Sequence, residues 1–406
     1  MARNLLERSG VTEYECDEDN DMQSPFPVCR VIRTVSVTLA LLATSLGAHA
    51  ERVVTIGLAL PLSGPSGSTG VSLERAAQLA IDDLNAGRPV INGEPVRFAL
   101  LAQDDRADPR TGELVADYFV KSRVAAVVGH WNSGVGIAAS RIYAAAGIVQ
   151  VAPAVTSPAY TQQGYAGAFR IVPHDGEGAR HTAQYVVREM KSASVVVIDD
   201  RTPFGSGYAA EFAGNVVALG GKIAARFSLS SKSSDFNGIL RTVRSLKPDA
   251  VLFGGLDAQA AQLVSEMRRL QINAPLVGIG GVVGPTFVRL AGSAGEGTVV
   301  LEPGPASYRG AQWTHFENAW KARYQDPITL YAPFAYDAVQ VIAAAMRQAN
   351  VTEGAQLAKE LHRIRYRGVT GHIAFDRDGN LRDPVFTLYG VKGGQWQVIK
   401  TVDERG

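Results

Sequence analysis

The sequence predicts an α/β protein built from two doubly wound lobes. Three observations lead to that class. Apolar, β-branched runs ending in Gly, Ser or Pro alternate with stretches of helical periodicity. The alternation restarts midway, after Pro173-His174-Asp175-Gly176. With 406 residues, 46% hydrophobic and 19% charged, the chain is globular and long enough for two domains.

In the first half, the near-continuous apolar run from Val53 to Leu60 reads as a buried parallel strand. A flexible, hydroxyl-rich turn from Pro61 to Gly70 follows. Leu73, Ala76, Ala77, Ala80, Ile81 and Leu84 then form the stripe of an amphipathic helix closed by Gly87. After a strand from Val96 to Leu101, Asp108 and Pro109 supply an N-cap and first turn for a helix from Arg110 to Val120. Two further strands, Val124 to Val128 and Ile148 to Ala152, flank a small-residue helix from Val135 to Ala146.

The second half repeats the scheme. A helix from Ala179 to Met190 leads to strands at Ser194 to Ile198, Ile223 to Phe227, Ala250 to Phe253 and Leu276 to Val277. Helices at Tyr208 to Ala218, Phe236 to Leu246 and Ala258 to Leu270 separate them. Beyond an apolar run from Gly297 to Leu301 come helices at Gln312 to Tyr324, Ala332 to Met346 and Ala355 to Ile364. Strands close the chain at His372 to Phe375, Val385 to Val391 and Gln395 to Ile399. A return to the first lobe and a finish on the second are expected, with lobe 1 formed by residues 51–173 and 302–375 and lobe 2 by 174–301 and 376–406. Several crossings would permit hinge closure on a ligand in the cleft between the lobes.

Residues 1–50 read as an N-terminal extension plus a secretory signal peptide. Arg30 and Arg33 precede the apolar run Val35 to Leu46, and Ala48-His49-Ala50 supplies a cleavage site before Glu51. The acidic stretch from Glu13 to Ser24 is unlike a signal's basic start, and translation is expected to begin nearer Val31. Both cysteines, Cys16 and Cys29, precede the cleavage site, so the exported chain would have no disulfide or thiol chemistry. Beyond residue 50 there are 36 basic and 32 acidic residues. That mild balance argues against nucleic acid as a partner.

Ligand binding is expected in the stretch from Gly129 to Pro158. Both of its polar turns lie just past the carboxyl ends of expected parallel strands, where open α/β sheets bind small ligands. Backbone N–H groups and the hydroxyls of Ser133, Thr156 and Ser157 can converge there on a carboxylate, with a helix N-terminus adding a favourable dipole. No nucleophile-and-base pair accompanies them. Binding without chemistry is the expectation, with no enzyme activity, cofactor or metal.

Other motifs carry bland readings. Asp376-Arg377-Asp378-Gly379 resembles the start of a calcium loop, but the later Glu is missing and such turns between strands are routine. Gly278 and Gly280 lack the third glycine of a dinucleotide fingerprint, and neither a G-x-S-x-G elbow nor an H-E-x-x-H helix is present. Adjacent residues at strand ends point to opposite faces, so Asp104-Asp105 and Asp199-Asp200 read as loop-fixing carboxylates. His130 and His174 suit structural hydrogen bonds. Trp131, Phe204, Tyr208 and Tyr331 are either core or walls for an apolar ligand side chain.

Several motifs in order match one family: Pro61-Leu62-Ser63-Gly64-Pro65, Gln103-Asp104-Asp105 with Asp108-Pro109, Val128-Gly129-His130, Ile142-Tyr143 with Ala146-Gly147-Ile148, Ala152-Pro153-Ala154 with Thr156 and Pro158, Phe169-Arg170, and Tyr336-Asp337-Ala338. From Val53 to about Val391 the chain resembles the periplasmic leucine/isoleucine/valine-binding proteins, solute receptors of branched-chain amino-acid ABC transporters. The resemblance implies a type I periplasmic binding protein, two Rossmann-like lobes joined by a multi-strand hinge. It also implies a periplasmic monomer that hands a small solute to a membrane permease. Within the family's pocket, Ser133 and the backbone and hydroxyl at Ala154 and Thr156 would hold the ligand's α-carboxylate.

The sequence departs from the family's pattern elsewhere. The amine-binding glutamate is missing near Gly280, two pocket tyrosines are replaced at Thr69 and Leu256, and a third becomes Phe204. Ala107 and Asn132 replace a disulfide pair. An ammonium buried without a partner costs several kcal/mol. An amino-acid ligand would therefore need Asp175, Asp200 or Asp257. Otherwise the ligand is an amine-free carboxylate, amide or aromatic acid. An exported sensor of the same fold is the rival reading.

Overall fold

The computed structural model describes residues 51–403, so the expected signal peptide, its cleavage site, Cys16 and Cys29 lie outside the described residues. Two sheets organise the chain. The first contains β1 (Arg52–Leu60), β2 (Val90–Ile91), β3 (Glu94–Asp104), β4 (Ala126–Gly129), β5 (Val149–Ala152) and β6 (Ala168–Arg170), in the order β2-β3-β1-β4-β5-β6. Every pairing in it is parallel except β2 with β3.

The second sheet begins with β7 (Ser194–Asp199), β8 (Lys222–Ser228), β9 (Ala250–Gly254), β10 (Leu276–Gly278) and β11 (Val299–Pro303). A small separate ladder, β12 (Tyr366–Arg367) with β13 (His372–Ile373), precedes β14 (Val385–Lys392) and β15 (Gln395–Asp403). The last two strands rejoin the second sheet as an antiparallel edge, giving the order β15-β14-β11-β10-β9-β7-β8.

Apolar strands buried on both faces need helices on both faces. Helix Pro109–Lys121 packs so closely on β1 that a Cβ at Gly57 would lie 2.9 Å from the Phe119 ring. Helices Gly67–Ala86 and Ala332–Ala349 share the first sheet's core, joined by Phe316 and Trp320 from helix Ala311–Arg323 and by Leu357 and Leu361 from helix Gly354–Arg363. The chain thus leaves the first sheet after β6, returns to it after β11, and crosses again before β14. The expected lobe boundary after residue 301 cuts β11, where Glu302 and Pro303 still pair with Thr387 and Phe386 of β14.

The structure corrects several local expectations. Helix Gly67–Ala86 begins inside the glycine-rich segment expected to be a flexible turn. Tertiary packing overrides weak propensity there, since the helix passes so close to the end of β1 that a Cβ at Gly70 would stand 1.9 Å from the Pro61 carbonyl oxygen. The helix expected from Ala179 runs from Asp175 to Gln184 and widens into a π-turn at Tyr185–Glu189. The strand expected from His372 to Phe375 shrinks to β13, with Phe375 bridging Leu381. Short elements without a strong period were unforeseen: β2, β6, and helices Ala159–Gln162 and Pro285–Ala291. No helix among the described residues is long and apolar enough to cross a membrane.

Candidate functional site

β4 ends at Gly129, whose carbonyl accepts from Gln150 Nε2 at 2.9 Å. His130 follows, fully buried, with Nδ1 2.7 Å from Asp105 Oδ2 and Nε2 3.3 Å from the Tyr143 hydroxyl. That network fixes the loop and agrees with a structural role for this histidine. Trp131 and Asn132 then lead into helix Ser133–Ala145. The first N–H groups of such a helix have no intrahelical acceptor, which makes its end a natural anion seat.

The second turn follows β5. Ser133 Oγ accepts from the Ser157 N–H at 3.3 Å, and a Cβ at Gly136 would stand 2.6 Å from Val155, so helix and turn are in close contact. Fully buried Arg170 ties the turn down, donating to the carbonyls of Val155 at 2.8 Å and Ser157 at 2.9 Å, to Thr161 Oγ1 at 3.0 Å and to Asn380 Oδ1 at 2.9 Å. Ser133, Ala154 and Thr156 are all buried around this junction. The structure therefore brings the expected carboxylate donors together.

Asp175 joins them from the start of helix Asp175–Gln184. Its N–H donates to the Thr156 carbonyl at 2.9 Å, and the Thr156 hydroxyl donates to its carboxylate. The residue is 5% exposed and its Oδ2 has no hydrogen-bond partner. Burial raises its pKa to about 7, against the opposing pull of the Thr156 hydroxyl and Arg170. Asp175, Thr156, Tyr208, Gly280 and Pro303 line one small void.

Across the cleft, Trp131 meets the second sheet. A Cβ at Gly281 would lie 3.0 Å from Leu256 Cδ2 and 3.8 Å from Trp131 Cζ2. Trp131 also stands edge-on to Tyr331, with ring centroids 4.5 Å apart. These apolar groups form a wall next to the polar junction. Thr69 and Phe204 are placed differently. Thr69 is half-buried near the start of helix Gly67–Ala86, and Phe204 packs on the second lobe's core; neither lines the void at Asp175.

The other two expected acids are engaged in their own loops. Asp200 Oδ1 accepts from the Thr202 N–H at 2.9 Å and its hydroxyl at 2.6 Å. Asp257 accepts from the Ala258 N–H at 2.7 Å and from the Thr286 hydroxyl. His174 accepts from the Gly176 N–H at 3.2 Å, a local cap. Asp376 likewise fixes its own turn, accepting from the N–H groups of Asp378 and Asn380. Among the described residues, no group of three or more His, Cys, Asp or Glu is placed to hold a metal ion.

Sequence reasoning missed one acid. Glu302, fully buried near the end of β11, accepts from the N–H groups of Gly281 at 2.9 Å, Val282 at 3.1 Å and Val283 at 2.9 Å, and from the Tyr331 hydroxyl at 3.2 Å. Burial lifts its pKa to about 7 against those four donors. The available signal was a lone acid near the carboxyl end of an otherwise apolar strand, Val299–Pro303.

Comparisons with known proteins agree with this fold. The periplasmic binding protein family profile matches residues 53–395. A Leu/Ile/Val-binding protein homologue of Brucella suis is 30% identical over 360 residues, covering 88% of this chain and 95% of the relative. A leucine-binding protein of Thermotoga maritima superposes with a TM-score of 0.80 at 23% identity, over 87% of this chain and 99% of its own. A branched-chain amino-acid transporter substrate-binding protein of Streptococcus pneumoniae, solved with isoleucine, gives 0.76 at 25% identity over 87% and 99%. With two doubly wound sheets, a buried junction at the ends of β4 and β5, and a match over nearly its whole described length, the chain belongs to the periplasmic binding protein family.

Proposed function

We propose that this protein is the extracytoplasmic solute receptor of an ABC importer, taking a small carboxylate-bearing solute with an apolar side chain into the cleft and presenting it to the membrane permease. One observation carries the reading: Ser133 Oγ, the Ser157 N–H and Thr156 converge beside the N-terminus of helix Ser133–Ala145, with Trp131, Leu256 and Tyr331 as an apolar wall. The ligand's carboxylate takes the donors and its side chain takes the wall. No step makes or breaks a covalent bond, so the protein binds and releases. The relatives named for leucine, isoleucine and valine support an apolar amino acid as the solute. Residues 1–50 carry the export signal and are removed by cleavage after Ala50.

A thermal-shift screen of the purified protein against amino acids, their keto acids, short amides and aromatic acids tests this. A ligand at about a hundred times its Kd adds about 2.7 kcal/mol of stability. No stabilisation by any small acid rejects the reading. N-terminal sequencing of the exported protein checks the cleavage.

A further inference from the structure

The sequence has no acid in the loop after β10, yet the structure places a carboxylate there. Parallel pairing of Val277 with Val299 and of Gly278 with Val300 sets an offset that brings position 302 alongside position 280. An ideal Cβ at Gly280 would lie 3.1 Å from the Tyr331 hydroxyl and 3.6 Å from Glu302 Oε2. Glu302 thus borders the space into which a side chain at 280 would grow, with the Tyr331 hydroxyl as the tighter neighbour.

Among the described residues, no cationic side chain donates a hydrogen bond to this carboxylate. Its four donors, three amides and one phenol, are neutral. Asp175 borders Gly280 across the same void with Oδ2 unpartnered and the residue nine-tenths buried. Buried Arg170 donates to carbonyls, to Thr161 and to Asn380. Burial outweighs the neutral donors around Glu302, and outweighs the Thr156 hydroxyl and Arg170 at Asp175, so both pKa values stand at about 7. A cation arriving with the ligand would meet two buried acids ready to ionise.

We propose that Glu302, reaching in from β11, recognises a cationic group of the ligand together with Asp175, and so sets selectivity for ammonium-bearing acids over their amine-free counterparts. This rests on the reading of the cleft as a solute site. The selectivity residue lies on the strand beside the loop after β10 and not within that loop. Tyr331 packs in the first sheet's core and Glu302 belongs to the second sheet. Their hydrogen bond therefore links the two sheets at the anchor.

Titration calorimetry on the purified full-length protein tests the assignment, with leucine and 4-methyl-2-oxopentanoate as probes against wild type, Glu302→Gln and Asp175→Asn. The expected result is leucine binding at least tenfold weaker in Glu302→Gln with keto-acid binding unchanged or tighter. A purely structural role weakens both probes by the same factor, and that outcome overturns the proposal, as does leucine affinity within threefold of wild type. Should Glu302→Gln fail to fold, wild type alone decides, by leucine binding at pH 6.5 in buffers of different ionisation enthalpy. Proton release on leucine binding supports the anchor and its absence overturns it. Wild type binding the keto acid but no amino acid overturns the anchor and leaves the solute-receptor reading standing. Wild type binding neither probe nor any other small acid removes both.

Discussion

Asp175 and Glu302 titrate unlike ordinary surface acids because burial, and not a neighbouring charge, dominates each. The sign of the consequence follows from linkage. Each folded-state pKa, about 7, lies above the value near 4 of an unfolded carboxylate. Native protonation therefore stabilises the ligand-free protein below about pH 4, and that contribution is lost as pH rises through 7. Burial moves His174 and His181 the other way, to about 4, so wild-type stability alone mixes the two effects. The difference between wild type and Glu302→Gln cancels the histidines. That difference, from urea denaturation without ligand, should move against wild type between pH 5 and 8; a flat difference contradicts the buried-acid assignment. At the opposite end of the site, Ser133→Ala or Thr156→Ala should each weaken ligand binding by about 1 to 3 kcal/mol through loss of a donor to a buried carboxylate. Unchanged calorimetric affinity in both would displace the site from this junction.

Elements differ in how local their causes are. Helix Pro109–Lys121 was readable from Asp108-Pro109 because capping is short-range chemistry: Asp108 Oδ1 accepts from the Thr111 N–H at 2.8 Å and its hydroxyl at 3.0 Å. Asp108→Ala should cost about 1 kcal/mol of stability with ligand affinity unaltered, measured by denaturant titration and calorimetry. The start of helix Gly67–Ala86 was not readable. Its first turn, Gly-Ser-Thr-Gly, has poor helix propensity, and its close approach to the Pro61 carbonyl is a contact across the end of β1. β6 is similar: three residues carry no period, and pairing with β5 makes them a strand.

For the whole molecule, Arg170 is the clearest integrator. It binds the turn after β5 and, through Asn380, the segment 376–380 on the last crossing between the sheets. Arg170→Met would leave the carbonyls of Val155 and Ser157 buried and unpaired, so a loss of about 3 to 5 kcal/mol is expected in denaturant titration. A loss below 1 kcal/mol would mean that water replaces the guanidinium. The sequence by itself determined the alternation of strands and helices, the two doubly wound sheets, and the position of Ser133 and Thr156 just past the carboxyl ends of two parallel strands. Those features rest on hydrophobic period, turn chemistry and the rule that ligands meet parallel strands at their carboxyl ends. The tertiary structure alone decided where each acid is engaged. Asp200 and Asp257 bind their own loops, whereas Glu302 reaches the space at Gly280 because β10 and β11 pair in a register offset by 22 residues. Strand register across a sheet is set by packing and leaves no mark in the spacing of residues along one strand.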